Sequence, residues 1–240
     1  MALKKKKKLY EGKTKTVFET EAPEQVIITF RDDSTGGNGG KSVTIAGKGV
    51  IDSQISCFLF RVLESYFVPT HFIAVAGKDS MLVRQMEMIP LLFITHNIAS
   101  SSLARRTGAK EGKPLEKPLL EYYHKDASKR DLNLSRNDTL STGFVNSTEL
   151  HHIERCASKA NAVLRGVFER RGLKVESFKL EFGRSKGRIL IGDELSLENL
   201  RLLDAKTGDR LLPGRASNDP AEMQKLYEQA AQRILTDFEK

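Results

Sequence analysis

Apolar and polar residues alternate strictly from Phe178, with Phe178, Leu180 and Phe182 on one side and Lys179 and Glu181 on the other. A period of two is the pattern of a strand with one buried face. Arg184-Ser185-Lys186-Gly187 reads as a polar turn and Arg188 to Ile191 as the return strand, which ends at Gly192 before the acids Asp193 and Glu194. Other short apolar runs predict strands on either side of Gly12 between Leu9 and Phe18, then at Val26 to Phe30, Thr70 to Val75, Met81 to Met88 and Leu91 to Thr95. Helical spacing takes over at Ile51, Ile55, Phe58, Val62 and Tyr66, which predicts a helix from Ile51 to Tyr66. A longer stripe (Leu150, Ile153, Ala157, Ala160, Leu164, Val167, Phe168) predicts a helix from Ser147 to about Arg171. Asp219-Pro220-Ala221-Glu222 reads as the cap and first turn of a last helix. Pro90 interrupts the strand pattern and marks a hinge, dividing the chain into 1–89 and 90–240.

Composition narrows the class. A chain of 240 residues with 39% hydrophobic and 29% charged residues suits a globular protein with a substantial core. No apolar run approaches the ~20 residues of a membrane span. The lysine-rich start has no apolar segment behind it, which argues against a secretory leader. Cys57 and Cys156 fall on the apolar sides of their helices and read as buried thiols in a reducing cytoplasm. The net charge of +8 suits a phosphorylated partner, but Lys4 to Lys8 supply five of the positive charges. Aromatics are not interleaved with the basic residues, so nucleic acid is disfavoured as a partner.

Candidate chemistry lies at four places. If the chain bends at Gly192, Asp193 comes near Glu181, and paired carboxylates suit a hard cation such as Mg²⁺ that also takes phosphate oxygens. The plain alternative is a surface hairpin with ordinary salt bridges. Gly12 with Lys13, Thr14 and Lys15 can present N–H and ammonium groups to a polyphosphate, although the spacing is not that of a P-loop. The glycine-rich run from Arg31 to Lys41 is a flexible connector or a flap over a ligand. Ser100, Ser101 and Ser102 can cap a helix, with or without an anion. His151 and His152 are adjacent, which is not a metal-ligand spacing.

Taken in order, LYEGKTK at Leu9 to Lys15, the loop after Phe30, Pro90 to Ser102, FKLEFG at Phe178 to Gly183 and Gly192-Asp193-Glu194 resemble the SAICAR synthetase family from Leu9 to about Arg233. The resemblance implies an α+β fold with a small antiparallel-sheet lobe, a larger lobe and ATP between them. It implies an ATP- and Mg²⁺-dependent ligase that joins the carboxylate of an aminoimidazole ribonucleotide to aspartate through an acyl phosphate, in purine biosynthesis. It also suggests a cytoplasmic homo-oligomer. By matching position, Lys13, Thr14 and Lys15 would lie along the ATP phosphates, Met88 at adenine, and Lys125 near the nucleotide. Glu181 and Asp193 would hold Mg²⁺, and Lys179 would face the reacting carboxylate. Ser102 and Arg201 would grip the substrate phosphate beside His96, with Asp131 and Arg215 near the site. The family pattern has an acid at Leu92, Arg at His96, Gly at Ser101 and Asp at Ser177. It reads differently across Ser196 to Asp204, including Trp at Leu203, and has Asp-Lys-Asp at Leu212-Pro213-Gly214. Nearly all these departures fall on the acid-substrate side. A paralogue with another acid or amine is therefore the second reading, and a non-catalytic nucleotide or RNA binder the third.

Overall fold

The computed structural model describes residues 4–34, 43–125, 131–212 and 219–236. The chain begins with β1 (Lys8–Glu11), β2 (Lys15–Glu19) and β3 (Gln25–Phe30), followed by the two-residue strands β4 (Asp33–Ser34) and β5 (Val43–Thr44). Helix α1 (Lys48–Ser65) leads to β6 (Phe72–Gly77) and β7 (Ser80–Arg84). These strands make an antiparallel sheet in the order β1-β2-β3-β7-β6, and β4 pairs with β5 beside it. Helix α1 covers β3, β6 and β7 with Ile55, Leu59, Phe60 and Leu63, all fully buried.

The second sheet starts with β8 (Glu87–Ile98), helix α2 (Ser101–Thr107), β9 (Pro114–His124), β10 (Leu132–Leu134) and helix α3 (Arg136–Ser141). After α4 (Ser147–Glu169) come β11 (Leu173–Ser185), β12 (Arg188–Gly192), β13 (Leu200–Asp204) and α5 (Pro220–Leu235). The strand order is β10-β9-β8-β11-β12, and β13 also pairs with β11. Strand β11 is the axis, with β8 along one edge and β13 then β12 along the other. Its Phe178, Leu180 and Phe182 are buried and face the core, as the alternation predicts. All seven residues of the α4 stripe are buried too, and an Asn146–Glu149 capping box starts that helix. One apolar core runs through both sheets, and Thr70 bridges Ile191 between them. The fold is α+β.

Several expectations change in detail. Helix α1 starts three residues early, at Lys48. Pro90 does not break its strand. β8 runs through it, because the β8–β11 register shifts between Glu181 and Gly183 and leaves Pro90 opposite an irregularity where no ladder N–H is needed. The interruption lies at Gln85–Met86, between β7 and β8. Arg184 and Ser185 belong to β11. The turn is Lys186-Gly187, with φ of 50° and 72°, the left-handed pair that a two-residue hairpin requires. The chain between β9 and α4, for which the apolar pattern predicts no element, contains β10 and the capped helix α3. Residues 35–42 of the glycine-rich run lie outside the described residues, as do 126–130 and 213–218.

Candidate active site

The register of the hairpin sets Glu181 opposite Gly192, and the bend comes one residue later than expected. Asp193 itself has φ of 62°, a left-handed conformation that Asp tolerates better than most side chains. Gly192 serves another purpose. A Cβ there would run into the Met86 methyl and would stand 3.5 Å from Met88 Sδ. Gly183 is constrained by backbone, since its Cβ would lie 2.9 Å from the Glu87 carbonyl oxygen and 2.9 Å from Met86 Cβ.

Lysines from three segments converge on these acids. Lys15 Nζ, from β2, donates to Asp193 Oδ1 at 2.5 Å and lies 2.7 Å from Glu194 Oε1. Lys125 Nζ, just beyond β9, reaches both Glu181 oxygens at 2.7 Å. Lys179 lies two residues before Glu181 on the same strand face, and its backbone N–H donates to Asn199 O at 3.0 Å. Burial pushes the Glu181 carboxyl up, and the Asp193 charge adds to it; against the pull of Lys125 the pKa reaches about 7. Burial alone would raise Asp193 as well, but Lys15 overrides it and holds that carboxyl below its ordinary value. Burial opposes the Lys15 ammonium, and Asp193 with Glu194 outweighs it, so the Lys15 pKa is raised. Burial and then the Arg201 charge depress Lys179, while Asp131, Glu198 and Glu181 oppose them. The site therefore holds two acids shifted in opposite directions, each paired with a lysine, beside a third lysine whose charge burial disfavours.

The remaining predicted residues spread along one sheet face. Residues directly opposite on antiparallel strands share a face. Leu92 stands opposite Glu181, Ile94 opposite Lys179, and His96 opposite Ser177, which in turn faces Arg201 on β13. Buried His96 shares a hydrogen bond with Glu121 through Nε2 at 2.9 Å, and Glu121 also accepts from Arg106 at 2.7 Å and Tyr123 at 3.0 Å. Burial works against the Glu121 charge, but these bonds prevail and bring its pKa to about 2. Arg201 is exposed, and its guanidinium donates to carbonyl oxygens of its own loop, the shortest to Leu200 O at 3.0 Å. Ser100 is the cap of α2; Ser102 is exposed and shares a hydrogen bond with Ser100 at 3.2 Å. Ser101 pairs with Glu111. Lys13 is exposed, Met88 is 42% exposed, and the Thr14 carbonyl accepts from Arg31 N at 2.7 Å. Asp131 is exposed, and its charge acts on Lys179. Arg215 lies outside the described residues.

Sequence reasoning missed a buried group behind the acids. Lys48 and Asp52 of α1 pair at 2.7 Å, and Lys48 also lies 3.0 Å from Glu198. The spacing of Lys48 and Asp52, one helical turn apart, was visible, but it is equally the spacing of a surface pair. His71 is buried beside Asp193, whose charge and backbone favour a protonated ring, but burial outweighs them and depresses its pKa to about 3. Cys57 and Cys156 are buried and free, and His151 and His152 are exposed.

Antiparallel sheets meeting at paired acids ringed by lysines define an α+β enzyme that handles anionic, phosphate-bearing substrates. The family model for SAICAR synthetase matches residues 8–226. The phosphoribosylaminoimidazole-succinocarboxamide synthase of Chlorobium chlorochromatii is 40% identical over 97% of this chain and 99% of its own. That of Desulfitobacterium hafniense is 36% identical over 97% and 98%. The crystal structure of the Ehrlichia chaffeensis synthase superposes with a TM-score of 0.85 at 30% identity, covering 95% of this chain and 98% of that one. A SAICAR synthetase in complex with ADP gives a TM-score of 0.85 at 32% identity, covering 96% and 99%. The chain belongs to the SAICAR synthetase family, whose members are ATP-dependent ligases.

Proposed function

We propose that the chain makes SAICAR in purine biosynthesis by joining the carboxylate of carboxyaminoimidazole ribonucleotide to the amine of aspartate at the expense of ATP. The observation that supports this most directly is the pairing of Lys15 and Lys125 with Asp193 and Glu181, with Lys179 two residues away on the same strand face. Phosphoryl transfer to a carboxylate brings two anions together, and fixed cations offset their repulsion. The γ-phosphoryl group passes to a carboxylate oxygen, giving ADP and an acyl phosphate. The aspartate amine then attacks the acyl carbon, phosphate leaves, and the amine gives up a proton.

In this reading Lys13, Thr14 and Lys15 follow the ATP phosphates, Met88 borders adenine, and Lys125 approaches the nucleotide from the second sheet. Lys179 meets the carboxylate to be activated; its burial makes an anionic partner favourable. Ser102 and Arg201 take the ribonucleotide phosphate, with His96, Asp131 and Arg215 nearby. Glu181 and Asp193 would suit Mg²⁺, because the Asp193 charge reaches Glu181 and the two supply hard oxygen ligands, of which Mg²⁺ needs only one or two beside substrate phosphates. When bound, the cation screens charge between nucleotide and acceptor carboxylate. The deciding experiment is ADP release with ATP and Mg²⁺, with and without the ribonucleotide and aspartate, and the product weighed by mass spectrometry. Release that needs both substrates and yields the succinocarboxamide is expected. ATP–Mg²⁺ binding without such turnover would overturn the choice of acid.

A further inference from the structure

We propose that Lys48 is a positioning residue, which clamps the loop from Asp193 to Asn199 onto the first turn of α1 and so sets the geometry of the candidate nucleotide site. The inference rests on the reading above for what the loop serves, and on the structure alone for how the loop is held. Lys48 is 0% exposed. A lysine buried that deeply is tolerated only with partners. Its Nζ lies 2.7 Å from Asp52 Oδ2 and 3.0 Å from Glu198 Oε1, and 5.8 Å from the centre of the Tyr227 ring. Tyr227, from α5, donates its hydroxyl to the same Glu198 oxygen at 3.2 Å.

From Glu198 the contacts run straight back to the acids. Ser196 Oγ accepts from Glu198 N at 3.1 Å and donates to the Glu194 carboxylate. Asn199 Nδ2 donates to Glu194 O at 2.9 Å, and Leu195 N donates to Ser56 Oγ of α1 at 3.3 Å. Glu194 and Asp193 then share Lys15. On its other side, the first turn of α1 is tied to the lysine-bearing hairpin. Gly47 N and Gly49 N donate to the Asp32 carboxylate at 3.2 and 2.9 Å, and Arg31 N donates to Thr14 O at 2.7 Å. Gly49 is needed for this approach, since a Cβ there would lie 2.8 Å from the Phe30 carbonyl oxygen. Lys48 thus joins the segment that carries Lys13 and Lys15 to the segment that carries Asp193. Without its charge, buried Asp52 of α1 and partly buried Glu198 of the loop lose the cation they share, while Lys15 stays with Glu194, and repulsion between the two acids drives the loop away from α1.

Two variants separate positioning from mere support of the fold. Lys48→Met combined with Asp52→Asn removes the cation and one acid together, which relieves the charge imbalance. Tyr227→Phe removes a single hydroxyl. Two readouts apply to both: calorimetric affinity for ADP with Mg²⁺, and hydrogen exchange of the 193–199 backbone amides without nucleotide. The double variant is expected to bind ADP at least about 10-fold more weakly, and Tyr227→Phe about 3- to 5-fold, the scale of one hydrogen bond. Both are expected to speed exchange in the loop while the α4 amides stay as in the unaltered protein. Unaltered exchange in the loop in both variants would overturn the clamp. Faster exchange with unchanged ADP affinity would overturn the positioning role. If the unaltered protein itself fails to bind ADP, the functional reading falls, and the exchange data still decide the clamp.

Discussion

Replacing Glu181 with Gln should make the protein more stable above neutral pH while abolishing ATP-dependent turnover. The folded protein holds a proton on Glu181 up to a pH of about 7, whereas an ordinary glutamate releases it near 4.5. Between those values the folded state binds the extra proton, so stability falls as pH rises through the window and the full penalty stands above it. At about 1.4 kcal/mol per pH unit the gap corresponds to about 3 kcal/mol. The pull of Lys125 is already within that value of about 7, so losing the pair adds no further cost. The net gain at pH 8 is therefore about 3 kcal/mol, shrinking to nothing near pH 4.5. Urea unfolding of both proteins at half-unit steps from pH 4.5 to 8 measures it. Asp52, pushed by its burial to about 7, contributes a slope of the same sign to both proteins, so the difference between the curves isolates Glu181. Parallel curves, or a Gln variant less stable at pH 8, would refute the argument that this acid is held in place at a cost to the fold.

Lys15→Met should destabilise the protein by about 3 kcal/mol at neutral pH, because it leaves two largely buried carboxylates without their cation. The deficit should shrink in acid as Asp193, held below its ordinary value by Lys15, takes up a proton, and a deficit independent of pH in urea melts would count against the pairing. Asp193→Asn, which also tolerates the left-handed backbone, should keep the melting temperature within a few degrees and lose Mg²⁺-dependent ADP binding in calorimetry; retained binding would remove Asp193 from the metal assignment. Gly183→Ala should cost about 1–3 kcal/mol by overpacking against the Glu87 backbone, read as a lower urea midpoint. His96→Arg should tighten ribonucleotide binding about 10-fold, the lower end for one charge-assisted bond. Equal or weaker affinity would show that position 96 does not serve the phosphate.

The elements most legible in the sequence are those whose pattern is local. The alternation at Phe178 to Phe182 and the stripe from Leu150 to Phe168 each bury the residues that their period selects. Helix α4 starts at Ser147 and Asp219 caps the last helix, as their patterns predict. What escaped depends on partners far along the chain. Pro90 looks like a strand breaker until β11 is known to shift register opposite it. Gly192 looks like the bend because glycine is the usual left-handed residue, yet its smallness accommodates Met86 and the bend falls on Asp193. Lys48 and Glu198 are 150 positions apart in the numbering, and no spacing rule links them.

The register also changes what the departures from the family pattern mean. In the sequence Leu92, His96 and Ser177 are scattered, and each could be an unrelated drift. In the fold Leu92 opposes Glu181, and His96 opposes Ser177, which opposes Arg201, so all of them share one sheet face with Lys179. A change at one position alters the surroundings of the next, and the replacements are coupled chemically as well. The family's arginine is absent at 96, but the histidine there shares Glu121 with Arg106, whose guanidinium is partly exposed. The Arg106 charge is matched by Glu121, a carboxylate held ionised by its hydrogen bonds, so Arg106 adds no net positive charge at this end. Arg201, exposed on β13 opposite Ser177, remains a cation of the face that can meet a phosphate, and His96→Arg therefore decides whether a second charge at position 96 completes such a contact.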